Sequence, residues 1–534
     1  MKRHNHFRTA AAIFLAILTV ETTSIPTSAC TNLIVGKAAS VDGSVICTYN
    51  CDTFGYSGWL THSPAGRHEK GEKIAIRSFW HPEGGIKGYV DQVQYTFNVI
   101  GYINEKQLCI VETTFGGRKE LVNPEGMLGY DNVIQLALQR CSTAREAIVT
   151  MGGLMDEYGY CDEGETFTVC DKEEAWIMEI IGKGPGRKGA VWVALRIPDD
   201  CICAHANVSR IRQIPFEDKQ NCLYSKDVVS FAREMCYFTG KDEDFSVRDA
   251  YCPIDFLAVR LCDARVWSFF RHHTDPAVMD GYLPYLDGKF DECDHLPLWI
   301  KPDAKISVRE IMDDMRDHYE GTPLDLTADL SAGPWGMPVR PRAKYFQSEG
   351  RIYFRERPIA SPQAGFTMVS HLRSWLPDDL GGVMYFNCDD AAMVAYVPVY
   401  CSEFDIPAAF AEENNMNGVF NEKGAYWMCN FVSNMVYPRY SAMIGDLVAA
   451  RKELEDHYAS EQEELTKAAL GMTPADRVAF LTRKTFSYTD IMMKRWDRLA
   501  RELIVKYNDQ PGDYDQRFYD AIVRATGERY RVPE

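Results

Sequence analysis

One cysteine, Cys30, stands at a position where its thiol could become a nucleophile. It follows a segment typical of a secretory signal peptide, in which Met1–Arg8 carries three cations and Thr9–Val20 is a short apolar run. Such a leader is cut after a small residue, here Ala29, and the apolar run is too short for a permanent membrane span. Its removal would make Cys30 the first residue of an exported protein, periplasmic or extracellular.

An amino-terminal cysteine carries its own base. A thiol has a pKa of about 8.5 and an α-amino group has one of about 7.7–8.0. The amine freed by cleavage is therefore partly neutral near pH 7, and it can take the thiol proton directly or through one water. Such an enzyme needs no separate histidine, and it becomes active only when the leader is removed.

The same position also fits a lipoprotein, whose first cysteine is acylated. A lipoprotein signal has an aliphatic residue three positions before the cysteine, where this chain has Thr27, and a flexible tether after it. Here Cys30 leads directly into Thr31–Gly36, an apolar stretch of strand type. The catalytic interpretation is therefore favoured, and a lipid-anchored, non-catalytic binding protein is the alternative of another class.

Two short strands must position this cysteine. Residues 32–38 and 44–49 are predicted strands, and Asp42-Gly43 between them is a hairpin signal. The second strand returns the chain toward the start of the first. The hairpin therefore predicts that Asp52 lies near Cys30.

The residues from Cys30 to Ser44, CTNLIVGKAASVDGS, resemble the amino-terminal signature of one family almost position for position. They are similar to the cysteine N-terminal-nucleophile (Ntn) hydrolases, specifically the secreted dipeptidases of the dipeptidase A type, with bile salt hydrolases and penicillin V acylases as more distant relatives. The similarity covers most of residues 30–440. Further matching segments are Asn104–Lys106, Val111–Gly116, Ala175–Glu179, Ala204–Ile211 and Met428–Tyr440.

The resemblance implies roles for residues near the cysteine. Cys30 would be the nucleophile, and its amine would be the base. Asp52 falls where the superfamily has an aspartate that hydrogen-bonds this amine, which a carboxylate can orient and stabilise in its protonated form; the alternative is an exposed turn aspartate. Tyr49 stands where bile salt hydrolases and many dipeptidases have an arginine, so a cation that would depress the thiol pKa is missing.

The resemblance also implies donors for the oxyanion. Asn207 matches an asparagine whose amide donates to it, and Thr114 aligns with the residue whose backbone N–H is the second donor. Arg265 aligns with a catalytic-site arginine of the bile salt hydrolases. Arg260 is a second candidate for that role. The alternative for Arg265 is an arginine on the surface of a helix, without a role in the site.

A C-x-C-x-H pattern precedes Asn207. On a strand, Cys201, Cys203, His205 and Asn207 would share one face. Zinc needs a fourth ligand at suitable spacing, and none is evident, so we expect no metal and no cofactor. The cysteines are more simply explained as small core residues, and a cysteine protease with His205 as its base is the competing mechanism.

The composition limits the class of protein. The chain has 534 residues, 46% of them hydrophobic, and a formal charge of −18, which argues against nucleic-acid binding and against adhesion to anionic membranes. Its 17 cysteines are an odd number, of which Cys30 accounts for the odd one. Disulfide connectivity and homo-oligomerisation are left open by the sequence.

Periodicity predicts an α+β fold. Strands dominate 30–120 and 165–210, a long helix is predicted near 131–158, and strands return near 364–400. The resemblance implies the four-layer αββα sandwich of the Ntn-hydrolase fold. We expect a signal peptide at 1–29, a catalytic domain at 30–435 and a helical carboxy-terminal extension at 436–534 packed on it.

These expectations converge on a secreted cysteine dipeptidase. It would cleave dipeptides by acylating the Cys30 thiol and hydrolysing the thioester, without a nucleic-acid partner or stable insertion into a membrane. An N-acyl amide hydrolase of the bile salt hydrolase or penicillin acylase type is the alternative enzyme.

Overall fold

A computed structural model describes residues 30–53, 55–78, 84–340, 345–509, 514 and 516–532. The predicted signal peptide at 1–29 lies outside the described residues.

The described chain contains 21 strands, most of them in two large antiparallel sheets. In chain order they are β1 (Asn32–Val35), β2 (Val45–Asp52), β3 (His62–Ser63), β4 (Gly66–Arg67), β5 (Lys73–Ile76), β6 (Gly88–Asp91), β7 (Tyr95–Thr96), β8 (Val99–Ile100), β9 (Ile103–Asn104), β10 (Cys109–Gly116), β11 (Gly164–Cys170), β12 (Ala175–Gly182), β13 (Ala190–Arg196), β14 (Ile202–His205), β15 (Cys222–Tyr224), β16 (Trp299–Ile300), β17 (Tyr345–Ser348), β18 (Arg351–Phe354), β19 (Ala364–Leu372), β20 (Gly382–Cys388) and β21 (Val397–Tyr400).

Fifteen α-helices lie between and after these strands in the described residues. They are α1 (Tyr130–Arg140), α2 (Ala144–Tyr158), α3 (Val228–Glu234), α4 (Val247–Tyr251), α5 (Phe256–Ala258), α6 (Ala264–His272), α7 (Pro276–Asp280), α8 (Leu283–Leu286), α9 (Val308–Asp314), α10 (Asp378–Gly381), α11 (Glu412–Asn415), α12 (Ala425–Val436), α13 (Tyr440–Leu470), α14 (Pro474–Lys506) and α15 (Gln516–Thr526).

The predicted hairpin at the start of the described chain is present. Strand β1 pairs antiparallel with β2, and Gly43 takes a φ of 84° in the turn between them, a conformation that glycine adopts without steric cost. Beyond the paired strands, Thr31 and Asn50 exchange backbone hydrogen bonds of 3.1 and 3.0 Å. The hairpin therefore brings the end of β2 alongside residue 30.

This hairpin belongs to a seven-stranded sheet with the order β16-β14-β1-β2-β19-β20-β21. The second sheet has eight strands, in the order β15-β13-β12-β11-β10-β9-β8-β3. A hydrophobic cluster that includes Cys47, Val111, Ile177 and Met368 lies between the two sheets. All 17 cysteines are free thiols, so this core is held by packing and not by disulfides.

Helices cover the outer face of each sheet. A cluster with Ile110 and Trp176 joins the eight-stranded sheet to α1 and α2, and a cluster with Leu33 and Ile202 joins the seven-stranded sheet to α6 and α9. Each sheet is therefore buried on both faces, and the long strands β2, β10, β11 and β19 are buried along nearly their whole length.

The single helix predicted near 131–158 is wrong, because two helices occupy this segment. Helix α1 ends at Arg140, and α2 begins at Ala144, where the Thr143 side chain accepts a hydrogen bond from the backbone N–H of Glu146. This N-cap satisfies a backbone donor that a continuous helix would not leave free. The apolar faces of both helices pack on one sheet, which is why their combined pattern resembles a single helix.

The chain ends in long helices, as its periodicity predicts. Helices α13 and α14 pack together, with the Tyr458 and Tyr488 rings 4.7 Å apart, and Thr485 of α14 donates a 2.9 Å hydrogen bond to the Pro398 carbonyl of β21. They therefore lie against the edge of the seven-stranded sheet. No helix among the described residues has the length and apolarity needed to cross a bilayer.

Candidate active site

Cys30 is buried just before β1, between the two sheets. Its Sγ lies 3.7 Å from the Tyr49 hydroxyl of β2 and 3.8 Å from Oε1 of Glu112 on β10. In the full sequence, its nitrogen forms an amide with Ala29. Burial, a hydrogen bond with Cys51 and the negative charge of Glu112 all raise the pKa of the Cys30 thiol well above its usual value. In this form of the chain the thiol is therefore protonated and poorly nucleophilic.

Arg265 fixes the backbone around this cysteine. Its five N–H groups donate, at 2.7–3.0 Å, to the carbonyl oxygens of Leu261, Cys30 and Ala206, to Oγ1 of Thr31 and to Oδ1 of Asn207. The side chain is fully buried, so it is not a surface helix arginine. The competing Arg260 instead pairs with Glu356 and Asp287. Because every donor is used within the protein, Arg265 is a positioning residue.

Asn207 lies beside the same site but not on the predicted strand. Strand β14 ends at His205, and Asn207 adopts a left-handed conformation with a φ of 65°. This turn directs its Nδ2 to the carbonyl oxygen of Thr114 on β10, at 2.8 Å, while its Oδ1 accepts from Arg265. The two residues predicted to supply oxyanion donors are therefore in direct contact, and one N–H of the Asn207 amide is used to join them.

Asp52 ends β2 and is fully buried, so the exposed-turn alternative is wrong. Its Oδ2 accepts a 2.9 Å hydrogen bond from Arg357. Burial raises the pKa of Asp52 to about 7, although the charges of Arg357 and Arg265 act in the opposite direction. Its charge also contributes, after burial and the charge of Glu112, to the raised pKa of the Cys30 thiol.

Two glutamates of the site were not predicted. Glu112 on β10 accepts a hydrogen bond from the Tyr49 hydroxyl, and Glu165 on β11 accepts one of 2.8 Å from the Thr114 hydroxyl. The two carboxyl groups are in contact with each other and are buried. The sequence does carry a signal for them, because each is the only charged residue of its strand.

The glutamates share their environment and compete for ionisation. Burial raises the pKa of Glu112, and burial together with the charge of Glu112 raises the pKa of Glu165 well above its usual value. Two contacting carboxyl groups in such a place oppose each other's ionisation, so Glu165 keeps its proton more readily than Glu112 does.

His205 is not placed to act as a base for Cys30. Its two ring nitrogens lie 2.7 Å from the hydroxyls of Thr113 and Thr168, which fills both hydrogen-bonding positions of the ring. Burial, with a smaller contribution from Arg210, lowers the pKa of His205 to about 3, so the ring is neutral. The described residues contain no group of three or more His, Cys, Asp or Glu side chains suited to hold a metal.

Comparison with known proteins identifies the kind of enzyme. A model of peptidase family C69 matches residues 77–453, well over half of the chain. The chain belongs to peptidase family C69. It is therefore a hydrolase of peptide bonds, which confirms the class of enzyme expected from the sequence and the resemblance to the dipeptidase A type.

Relatives of this C69 peptidase are similar along most of their length. The chain is 25% identical over 479 residues to "Probable dipeptidase" of Latilactobacillus sakei, covering 86% of this chain and 92% of that protein. It is 24% identical over 480 residues to "Probable dipeptidase B" of Streptococcus pyogenes serotype M1, covering 86% and 89%. It is 26% identical over 389 residues to "Probable dipeptidase" of Salmonella dublin, covering 70% and 81%.

A cavity of this C69 peptidase shares two aromatic rings with the surroundings of Tyr49. The Tyr49 ring packs edge-on against Tyr102 and Phe366, with centroids 5.2 Å away in each case. Tyr102 and Phe366 also line a cavity of about 220 Å³, together with Trp59, Phe386 and polar residues that include Asp131. The cavity is large enough for an amino-acid side chain.

Proposed function

We propose that this C69 peptidase is an exported cysteine dipeptidase whose nucleophile is the thiol of Cys30 and whose base is the amine freed by removal of residues 1–29. The observation that carries the proposal is the environment of Cys30. Its thiol lies between the two sheets, next to Tyr49 and Glu112, and its carbonyl is held by Arg265. A structural cysteine needs none of these polar neighbours.

The proposed reaction begins with transfer of the thiol proton to the freed amine. The sulfur then attacks the peptide carbonyl carbon, and the C=O bond opens to an oxyanion that accepts from the second N–H of the Asn207 amide and from the backbone N–H of Thr114. The amine returns the proton to the peptide nitrogen, the C–N bond breaks, and the carboxy-terminal product leaves. A thioester on Cys30 remains.

Water completes the cycle. The amine takes a proton from water as the hydroxide oxygen adds to the thioester, and the sulfur leaves and recovers the proton. Asp52 would orient the amine and stabilise its protonated form, which its burial near Cys30 supports. Arg265 would hold the cysteine backbone and the Asn207 amide in the same relative position throughout the reaction.

The proposal includes the fold. Two stacked antiparallel sheets with helices on both outer faces support the αββα sandwich of the Ntn hydrolases. Within it we assign 30–435 to the catalytic domain and 436–534 to a helical extension. The dipeptide as substrate is supported by the names of the relatives, each a probable dipeptidase.

The deciding experiment concerns the residue in front of Cys30. A chain that begins at Ser28 retains two residues, and its Cys30 nitrogen is an amide that cannot accept a proton. We expect this protein to fold and to hydrolyse dipeptides about 10²–10⁴-fold more slowly than one that begins at Cys30, because a positioned base contributes about that factor. Removing Ser28 and Ala29 with an aminopeptidase should restore the rate without refolding.

Two controls distinguish the alternatives. His205→Ala in the mature protein should keep its activity if the fold is retained, whereas an active uncut chain combined with an inactive His205 variant would establish the cysteine–histidine mechanism instead. Parallel assays with a glycine-conjugated bile salt and with penicillin V test the N-acyl amide hydrolase. The intact mass of the exported protein tests lipidation, because acyl chains would add a large mass to Cys30.

A further inference from the structure

Beside the thiol of Cys30, the contacting carboxyl groups of Glu112 and Glu165 form a buried acidic pair that the reaction above does not use. We propose that this pair binds the free α-ammonium group of the substrate and so restricts the peptidase to peptides cleaved after their first residue. The inference rests on the proposed function, since it takes Cys30 as the attacking group.

The distances suit this role. In an amino-terminal residue, the ammonium nitrogen lies about 2.5 Å from the carbonyl carbon, because only Cα separates them. A sulfur poised for attack lies about 3–3.5 Å from that carbon. The ammonium is therefore within about 6 Å of Sγ in any productive pose. Oε1 of Glu112 lies 3.8 Å from Sγ, within hydrogen-bond reach of that region.

The charge of the pair also suits a single ammonium group. Because ionisation of one carboxyl group opposes ionisation of the other, the pair readily carries a single negative charge, and no ion pair among the described residues involves either glutamate. An ionised carboxyl group buried without a cation is costly, so a positive group that binds beside it stabilises it. The ammonium of a peptide supplies one charge of the required sign.

Each glutamate of the pair also has one oxygen atom that accepts no hydrogen bond from the described residues. Oε1 of Glu112 accepts from Tyr49, and Oε1 of Glu165 accepts from Thr114. Oε2 of each glutamate accepts no hydrogen bond from the described residues, although both atoms are buried. Buried oxygens that lack a donor are uncommon in folded proteins, and here two of them lie in one carboxyl pair. An ammonium group has three N–H donors, so it can donate to whichever of these oxygens carries no proton.

The test compares two compounds that differ only in the amine. Ala-Phe and propionyl-Phe have the same amide bond and the same carbon skeleton, but propionyl-Phe lacks the ammonium group. For the mature protein we expect kcat/KM to be at least about 100-fold higher for Ala-Phe, because leaving one partner of a buried charge pair empty has an effect of that size. Equal rates in the wild-type protein would overturn the inference without any variant.

Variants then assign the preference to the pair. Glu112→Gln and Glu165→Gln should each lower kcat/KM for Ala-Phe by a much larger factor than kcat/KM for propionyl-Phe, so that the ratio falls toward one. Glu403→Gln is the matched control. It alters another buried glutamate with a raised pKa, one that contacts Thr485 of the carboxy-terminal helices, and it should keep the wild-type ratio.

Failure of the inference and failure of the proposed function give different results. If both glutamate variants lower the two rates by the same factor, the pair serves the amine of Cys30 itself, and the inference is wrong while the mechanism stands. If the wild-type protein hydrolyses neither compound and Cys30 is never acylated, the proposed function fails.

Discussion

The carbonyl oxygen of Cys30 accepts a 2.7 Å hydrogen bond from Nη1 of Arg265, whose other four N–H groups also donate within the protein. This arginine joins Cys30 to Asn207 although 58 residues separate Arg265 from Asn207 and 235 separate it from Cys30. The chemistry at the thiol therefore depends on a side chain that does not touch it.

Arg265→Lys should expose this dependence. An ammonium group has three donors, so at least two of the five buried acceptors would lose their partner. Each such loss has an effect of about 1–3 kcal/mol, and we expect the free energy of unfolding to fall by at least about 2 kcal/mol. Urea denaturation measures this loss, and kcat at saturating substrate should fall with it. A lysine variant with wild-type stability would contradict the positioning role.

Cys30→Ser tests the nucleophile. Serine is close in size to cysteine, so the fold and the thermal midpoint should change little, but its hydroxyl is a much weaker nucleophile at neutral pH. We expect activity on dipeptides to fall by at least about 10³-fold, which is the order of loss expected when a nucleophile is removed. The amino terminus must be sequenced in the same sample. A correctly processed serine variant with the wild-type rate would end the thioester mechanism.

Asp52→Asn tests the orienting carboxylate through pH. The pKa of Asp52 is raised to about 7 in the uncut chain, so its carboxyl group is protonated below that pH and ionised above it. The charge of the freed amine favours ionisation, which places the midpoint in the mature protein at or below pH 7. The kcat/KM of the wild-type protein should therefore decline as the pH falls through this midpoint. Measured from pH 5 to 9, kcat/KM of the asparagine variant should reach a lower plateau than that of the wild-type protein. It should not decline as the pH falls through the midpoint.

Tyr49→Phe removes only the hydroxyl near the thiol. The ring should keep its contacts with Tyr102 and Phe366, and the unfolding free energy should fall by about 1 kcal/mol for the lost hydrogen bond to Glu112. We expect kcat/KM to fall about tenfold, since Oε1 of Glu112 loses its donor. Tyr400→Phe, which removes a buried hydroxyl bonded to Gln462, provides the comparison and should leave kcat/KM unchanged.

Glu165→Gln should alter the pH dependence of stability. Because the folded pKa of Glu165 is raised, its protonated form stabilises the native state fully below the unfolded pKa of about 4.3, and this contribution is lost as the pH rises toward the folded pKa. The wild-type protein should therefore lose stability between pH 5 and pH 8. Glutamine resembles the protonated acid, so denaturation at both pH values should show a smaller loss in the variant. An identical loss would mean that Glu165 does not hold the proton.

Local signals in the sequence predicted the part of the site that one hairpin builds. Asp42-Gly43 and the strand patterns around it are sufficient to bring Asp52 back toward Cys30, because turn chemistry and alternation act over a few residues. The resemblance supplied Asn207, Thr114 and Arg265, and the structure brings all three to the same place.

The site residues that were not predicted from the sequence are brought to the site by long-range packing. Glu112 and Glu165 lie on the eight-stranded sheet, and their approach to Cys30 depends on how the two sheets stack, which no local pattern encodes. Tyr49 was noted only for the cation that it replaces, whereas its hydroxyl joins the thiol to Glu112. Asn207 was placed on a strand because alternation continues through Ala206, but the left-handed turn at Asn207 ends that pattern.

The division of the site between two sheets has a consequence for the protein during its biogenesis. Cys30 and Asp52 arrive together on one hairpin, but the thiol meets Glu112 only when the seven-stranded and eight-stranded sheets have docked. On the proposed mechanism, a chain that is still folding carries the nucleophile before its site is assembled. Peptide cleavage would then require both the docked sheets and the free amine of Cys30, so an unfolded chain would not cut other chains.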